Sequence, residues 1–184
     1  MNSFQSLRPQ HHFPYSDESF LHEYRFTNGQ PFPRSYIDYV HTLGYGELCG
    51  SFQIFIPLGD HPFSWLHQYY SWRNWFDEIL ESEVVLQEAA MASEGSKELF
   101  EYAAPFARSK ENDLLFWDIR SLDNNGEYPI YTVNTDHWDH QATCRYVSDH
   151  LYGCVELLVN QDHVQRLFGI DRHVYPYQFQ PFGY

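Results

Sequence analysis

Asn112-Asp113-Leu114-Leu115-Phe116-Trp117-Asp118-Ile119, then Asp123-Asn124-Asn125-Gly126, then Tyr128-Pro129-Ile130-Tyr131-Thr132-Val133, is the stretch that decides how this chain folds. Leu114 to Ile119 is a near-continuous apolar run of strand length, and Asn112-Asp113 supplies the turn before it. Asp123-Asn124-Asn125-Gly126 joins residues that tolerate left-handed backbone, so it reads as a hairpin signal. Residues 128–133 then pair back as the next strand. Working outward, Ser51-Phe52-Gln53-Ile54-Phe55-Ile56-Pro57 alternates and is β-branched or aromatic, which reads as a strand closed by Pro57. It follows a glycine-punctuated turn, Gly44 to Gly50.

Helical periodicity surrounds these strands. Tyr36, Ile37, Val40 and Leu43 make one apolar stripe that opens after Pro33-Arg34 and ends at Gly44, the usual position for a helix-terminating glycine. Ser16-Asp17-Glu18-Ser19 offers an N-cap and an acidic first turn for a short helix over Glu18 to Phe26. A longer helical pattern runs from Ser64 to about Ala92, with Trp65, Leu66, Tyr69, Tyr70, Trp72, Trp75, Phe76, Ile79 and Leu80 on its apolar side. Leu99 to Ala107, with Pro105, is expected to precede a strand, and Asn134 to Thr143 to form a polar loop. Ser148-Asp149 is expected to cap a helix with the stripe Leu151, Tyr152, Val155, Leu158 and Val159. The tail from Ile170 reads as irregular, and Met1–Pro14 as an extended arm. No repeat or linker divides the chain, so the expectation is one α+β domain over 15–184 behind an arm over 1–14.

The chain's 184 residues suffice for a core without covalent staples. A domain of this size buries about 70% of the surface its unfolded chain exposes. Hydrophobic residues at 43% and aromatics at 19% exclude a wholly disordered chain. The 15 Tyr, 15 Phe and 5 Trp suit a Tyr-rich core or an aromatic recognition patch. Against 25 acids stand 11 Lys plus Arg, a formal charge of −14. Such a surface repels nucleic acid and anionic membrane, whose binding requires Lys and Arg, and attracts a basic partner. Solubility alone also accounts for acidity. Cys49, Cys144 and Cys154 are odd in number and unpatterned, which fits a reducing compartment rather than a disulfide scaffold. Without an apolar h-region at the N-terminus or an apolar run of spanning length, the expected location is cytoplasmic.

Candidate chemistry is thin. Asp136-His137-Trp138-Asp139-His140 offers imidazole and carboxylate ligands for Zn or Fe, but in no recognised ligand spacing. His11-His12 lies on an arm without fixed geometry. Cys49 has no basic neighbour in sequence to lower its pKa, and no G-x-S-x-G elbow occurs. Gly44 to Gly50 lacks the lysine of a phosphate-binding loop, and its Glu47 repels phosphate. No carboxylate pair stands out for glycoside hydrolysis. No catalytic, cofactor-binding or metal-binding residue is assigned, and no enzymatic activity is expected.

Three stretches in order carry a family resemblance. The first is Pro33-Arg34-Ser35-Tyr36-Ile37-Asp38-Tyr39-Val40, running into Gly44-Tyr45-Gly46-Glu47-Leu48-Cys49-Gly50 and Phe52-Gln53-Ile54-Phe55-Ile56-Pro57. The second is Pro105-Phe106-Ala107 with Asn112-Asp113-Leu114-Leu115-Phe116-Trp117-Asp118. The third is Tyr128-Pro129-Ile130-Tyr131. Together, over Phe32 to Val133, they resemble the SUKH superfamily, which includes bacterial immunity proteins and a yeast regulator of cell-wall synthesis. Phe32 stands where that family usually has Leu, Asn112-Asp113 where it has Gly-Asp, and residues 64–92 align only loosely. The resemblance implies a SUKH-like α+β domain with helices packed on a twisted, mainly antiparallel sheet. It also implies an antidote to a polymorphic or contact-dependent toxin, often a nuclease, with no shared catalytic residues. Asp60, Asp77, Glu78, Glu81, Asp113, Asp123 and Glu127 are the candidate contacts for a basic toxin, with nearby Trp and Tyr as anchors. Two alternatives stand beside this reading. One is a regulatory or scaffold protein of the cell-wall-regulator type; the other is a metal-dependent enzyme using the Asp136–His140 loop.

Overall fold

In the computed structural model, which describes residues 4–7, 15–81, 96–136, 144–168 and 178–182, the two strands expected to pair from the sequence are neighbours in a seven-stranded sheet. The strands are β1 (Gly46–Leu48), β2 (Phe52–Ile54), β3 (Ala103–Ser109), β4 (Asp113–Asp118), β5 (Ile130–Asn134), β6 (Arg145–Ser148) and β7 (Phe179–Pro181). Their order is β6-β5-β4-β3-β2-β1-β7, and every neighbouring pair is antiparallel. The helices are α1 (Glu18–Glu23), α2 (Arg34–Thr42), α3 (Trp65–Glu81), α4 (Ser96–Glu101), α5 (Leu151–Leu158) and α6 (Gln161–Phe168). This is an α+β architecture.

Strand β4 is buried along its whole length because the sheet is covered on both faces. Leu114 and Phe116 point to one face and meet Phe76, Ile79, Leu99 and Phe100 of α3 and α4. Leu115 and Trp117 point to the other, into a larger core shared with α1, α2, α5 and α6. A period-2 strand under two layers of helix therefore reads as an unbroken apolar run rather than an alternating one. In that larger core Trp117 stacks on Phe106, centroids 4.3 Å apart, and meets Tyr36 edge-on at 5.0 Å. Trp65 sits edge-on to Phe32 at 4.8 Å. Among the described residues, most of the aromatic rings are buried in the core. Tyr36 keeps its hydroxyl satisfied there by donating to the Phe55 carbonyl (2.7 Å), as a buried tyrosine usually must.

Pro105 falls inside β3 rather than before it. The β3–β4 register shifts between Pro105 and Ala107, so the proline occupies a bulge, where a missing N–H does not break the ladder. Asn112 has φ 63°. This is the left-handed region, which Asn tolerates better than most residues, so it can fill a turn position suited to glycine.

Several boundaries differ from expectation. Helix α1 stops at Glu23, not Phe26, because Tyr24 turns extended. Helix α3 is described as far as Glu81, and the expected continuation to Ala92 lies outside the described residues. The N-cap of α5 is His150, whose Nδ1 accepts from the Gly153 N–H, rather than Ser148 or Asp149. Helices α4 and α6 and strand β6 have no counterpart in the sequence-based expectation, and Gly46–Leu48, expected within a turn, forms strand β1. The tail is not wholly irregular, for Phe179–Pro181 forms β7 against Gly46–Leu48. Gly46 is required there, since a Cβ would sit 2.4 Å from the Phe179 ring. The N-terminal segment is not simply an arm, because Gln5–Leu7 makes a 3-10 turn and Phe4, 0% exposed, stacks on Tyr152 at 4.8 Å. Residues 1–3 and 8–14 lie outside the described region.

Candidate partner-binding surface

Helix α3 starts in the larger core, where Trp65 and Tyr69 are buried, and further along places Phe76 and Ile79 in the smaller one. Those buried positions fix its outward stripe by helical spacing: Tyr70, Asn74, Asp77, Glu78 and Glu81 are all exposed. Tyr70, at 57% exposed, stands at the start of the stripe and the carboxylates at its end. Asp60, exposed in the turn before the helix, adds another acid, and exposed Glu98 and Glu101 continue the negative surface onto α4.

These acids are not equivalent. Arg73 donates to Asp77 Oδ1 from Nε (3.1 Å) and Nη2 (2.7 Å). Through Nη1 it also donates to the carbonyls of Phe100 (2.6 Å) and Glu101 (3.2 Å) at the end of α4 and of Ala103 (3.2 Å) at the start of β3. Asp77 thus orients the arginine that ties α3 to α4. Glu78 and Glu81 have no such duty among the described residues and present their charge to solvent.

The remaining candidates separate into one exposed group and two buried ones. Asp123 is exposed, and its Oδ1 accepts from the N–H groups of Asn125 and Glu127 (both 2.8 Å), which closes the turn. These bonds, the one from Glu127 foremost, hold its carboxyl below the usual range. Asp113 and Glu127 are corrections to the expectation of solvent-facing contacts, being 4% and 6% exposed. Asp113 accepts from Ser109 Oγ (2.9 Å) and Asn134 Nδ2 (2.9 Å). Glu127 accepts from the Ser35 N–H (2.8 Å) and Ser35 Oγ (2.6 Å), while Ser35 Oγ accepts from the Leu151 N–H (3.0 Å). The α2 N-cap, Pro33, provides no side-chain acceptor, so a carboxylate 92 residues away takes that role. Burial is the main cause that raises both carboxyls above their ordinary values.

Burial also pushes the Cys144 and Cys154 thiols up to about 12, which keeps them protonated and weakly nucleophilic. A cleft between β6 and α5 is lined by Tyr146, Ser148, His150, Glu156 and His163. Ser148 Oγ donates to the His150 carbonyl (2.9 Å), and His150 Nδ1 is occupied by the Gly153 N–H (2.9 Å). The pair is therefore not arranged as nucleophile and base. Asp136 is exposed and accepts from Asn112 Nδ2 (2.7 Å). His11, His12 and His137 to His140 lie outside the described residues.

One further set of side chains is not singled out by sequence spacing. Glu18 and His22, one turn apart on α1, converge with His41 at the end of α2. Glu18 and His22 have the i, i+4 spacing that places two side chains on one helix face; their meeting with His41 has no local signal. The Glu18 carboxyl is held below its ordinary value chiefly by Ser16, with His41 assisting.

No protein-family model, curated protein or solved structure matches this chain. No helix among the described residues is long and apolar enough to cross a membrane.

Proposed function

We propose that this protein is an immunity-type inhibitor that docks onto a basic toxin inside the producing cell and blocks its action without chemistry of its own. The observation that carries this reading is the outward stripe of α3, where Glu78 and Glu81 stand beside exposed Tyr70 on a chain of formal charge −14. Negative charge of this size steers a positively charged partner and raises its on-rate, most strongly at low salt. An aromatic ring at the edge of the acidic stripe provides apolar anchoring area. The SUKH-like order of motifs supports the same reading. A cleft that binds nucleic acid is itself basic, so nuclease toxins are the favoured targets.

The test is charge reversal at exposed positions, Glu78→Lys with Glu81→Lys. Far-UV circular dichroism and the unfolding midpoint should stay close to wild type, because both side chains face solvent. Association with the toxin encoded beside this gene should slow by roughly tenfold or more at low salt and show a weaker salt dependence. Cells producing the toxin should lose protection accordingly. Full protection and unchanged association by the double variant would remove the α3 stripe as the docking surface, and absence of any bound or neutralised toxin would remove the inhibitor reading.

A further inference from the structure

We infer that Glu18, His22 and His41 form a binding site for one divalent transition-metal ion, zinc by its donor set, which clips α1 to α2. This goes beyond the docking function and does not depend on it. The side chains are brought together by features visible in both helices. Asp17 Oδ1 accepts from the Phe20 N–H (3.0 Å) and so fixes the first turn of α1, which sets Glu18 and His22 on one face. His41 enters from the last turn of α2.

The geometry is that of ligands converging on a shared point. His22 Nε2 and His41 Nε2 lie 3.6 and 3.0 Å from the same atom, Glu18 Oε2. Zinc holds imidazole nitrogen and carboxylate oxygen at about 2.0–2.2 Å, so neighbouring ligand atoms of a tetrahedral site stand roughly 3.3–3.5 Å apart. The two observed separations bracket that edge, and all three donor atoms lie within 4.8 Å of one another. The two imidazole rings are 5.8 Å apart and tilted by 44°, so neither stacking nor collision prevents both from turning toward one ion. Small side-chain rotations complete the approach, and the exposure of all three residues permits them.

Ser16 supplies the outer support. Its hydroxyl donates to the other carboxylate oxygen, Glu18 Oε1, at 2.6 Å, which orients the group and leaves Oε2 turned to the histidines. Two imidazoles and one carboxylate are a donor set suited to zinc, with water completing the coordination. The physical benefit is local. Helix α1 has six residues, far too short to be stable alone. An ion bridging it to α2 adds to the packing of Phe20 and Leu21 and to the hydrogen bond that the Asp17 N–H donates to the Pro57 carbonyl (2.9 Å).

The experiment titrates the full chain, prepared with chelator and then freed of it, with Zn2+ and separately with Co2+. Zinc binding is followed by calorimetry, cobalt by its visible spectrum, and unfolding by Tm with and without zinc. The wild type should bind one tight equivalent of zinc, give the intense visible bands of four-coordinate cobalt, and gain in Tm on zinc addition. His22→Ala with His41→Ala should weaken that equivalent by at least about tenfold and abolish both the cobalt bands and the zinc-dependent gain. His67→Ala, an exposed histidine outside the cluster, should behave as wild type. Equal zinc affinity and stoichiometry in the double variant, or a weak six-coordinate cobalt spectrum in the wild type, would overturn the site. Since metal-free circular dichroism reports whether each variant folds, a loss of binding is separable from a loss of structure.

Discussion

Trp117→Ala is expected to lower the unfolding free energy by about 3–5 kcal/mol, the usual cost of deleting a large buried aromatic. Trp117 is fully buried on β4 and is the ring on which the larger core converges. Phe106 lies flat against it, and Phe26, Phe32 and Tyr36 meet it at their edges. Those rings come from β3, the segment after α1, the residue before Pro33, and α2, so the cavity would loosen several elements at once. For a chain of about 150–250 residues each kcal/mol shifts Tm by roughly 2–4 °C, which places the melting point about 6–20 °C lower. Urea or thermal unfolding followed by circular dichroism reads this directly. Trp117→Phe provides the contrast: the indole N–H has no hydrogen-bond partner among the described residues, so phenylalanine loses volume but no bond. It should cost clearly less than alanine. A loss under about 1 kcal/mol for Trp117→Ala would mean that the core does not close around this ring.

Glu127→Ala should cost about 2–3 kcal/mol, although a surface acid would be nearly silent. Removing this carboxylate strands the Ser35 N–H at the start of α2 and frees Ser35 Oγ, which also holds the first N–H of α5. Glu127→Gln keeps one acceptor oxygen and should recover part of the loss. The two variants also carry a pH signature. Burial raises the Glu127 carboxyl above its ordinary value of 4.5, so the folded state holds this proton more tightly than the unfolded chain does. Stability from this group is therefore full below pH 4.5 and falls as pH rises through the raised folded value. Glu127→Gln cannot lose a proton, so its deficit relative to wild type should be larger near pH 4 than near pH 7. A deficit that grows instead toward neutral pH would show that the carboxylate is stabilised as the ion.

The same carboxylate shows where reading the chain in one dimension reaches its limit. Glu127 and Asp113 sit beside turn residues, in the kind of sequence that normally faces water, and so do Asp60 and Asp123. What separates them is Ser35, from a helix 92 positions earlier, in one case, and Ser109 with Asn134 in the other. Nothing within a few residues of Glu127 announces its partner, and the Asn134 that holds Asp113 arrives from the neighbouring strand.

Local chemistry determined a good deal. The Asp123–Gly126 turn, the apolar run of β4, the stripe of α2 and its Gly44 terminator are set by backbone preference and by periodicities of two and 3.6, which act between near neighbours. The acidity of the chain follows from composition, and the outward acids of α3 from helical spacing, whereas Tyr70, grouped by its sequence with the apolar side, is turned to solvent by the burial of Trp65, Tyr69, Phe76 and Ile79. The tertiary structure decided whatever needs a distant partner. β7 becomes a strand because β1 offers it an edge, and Pro105 is tolerated because the ladder bulges there. Phe4 is drawn into the core by Tyr39 and Tyr152, and Glu18 meets His41 only when α1 folds onto α2. Hydrogen-bond pairing and burial depend on where the rest of the chain comes to lie, and that placement is settled by the whole core together.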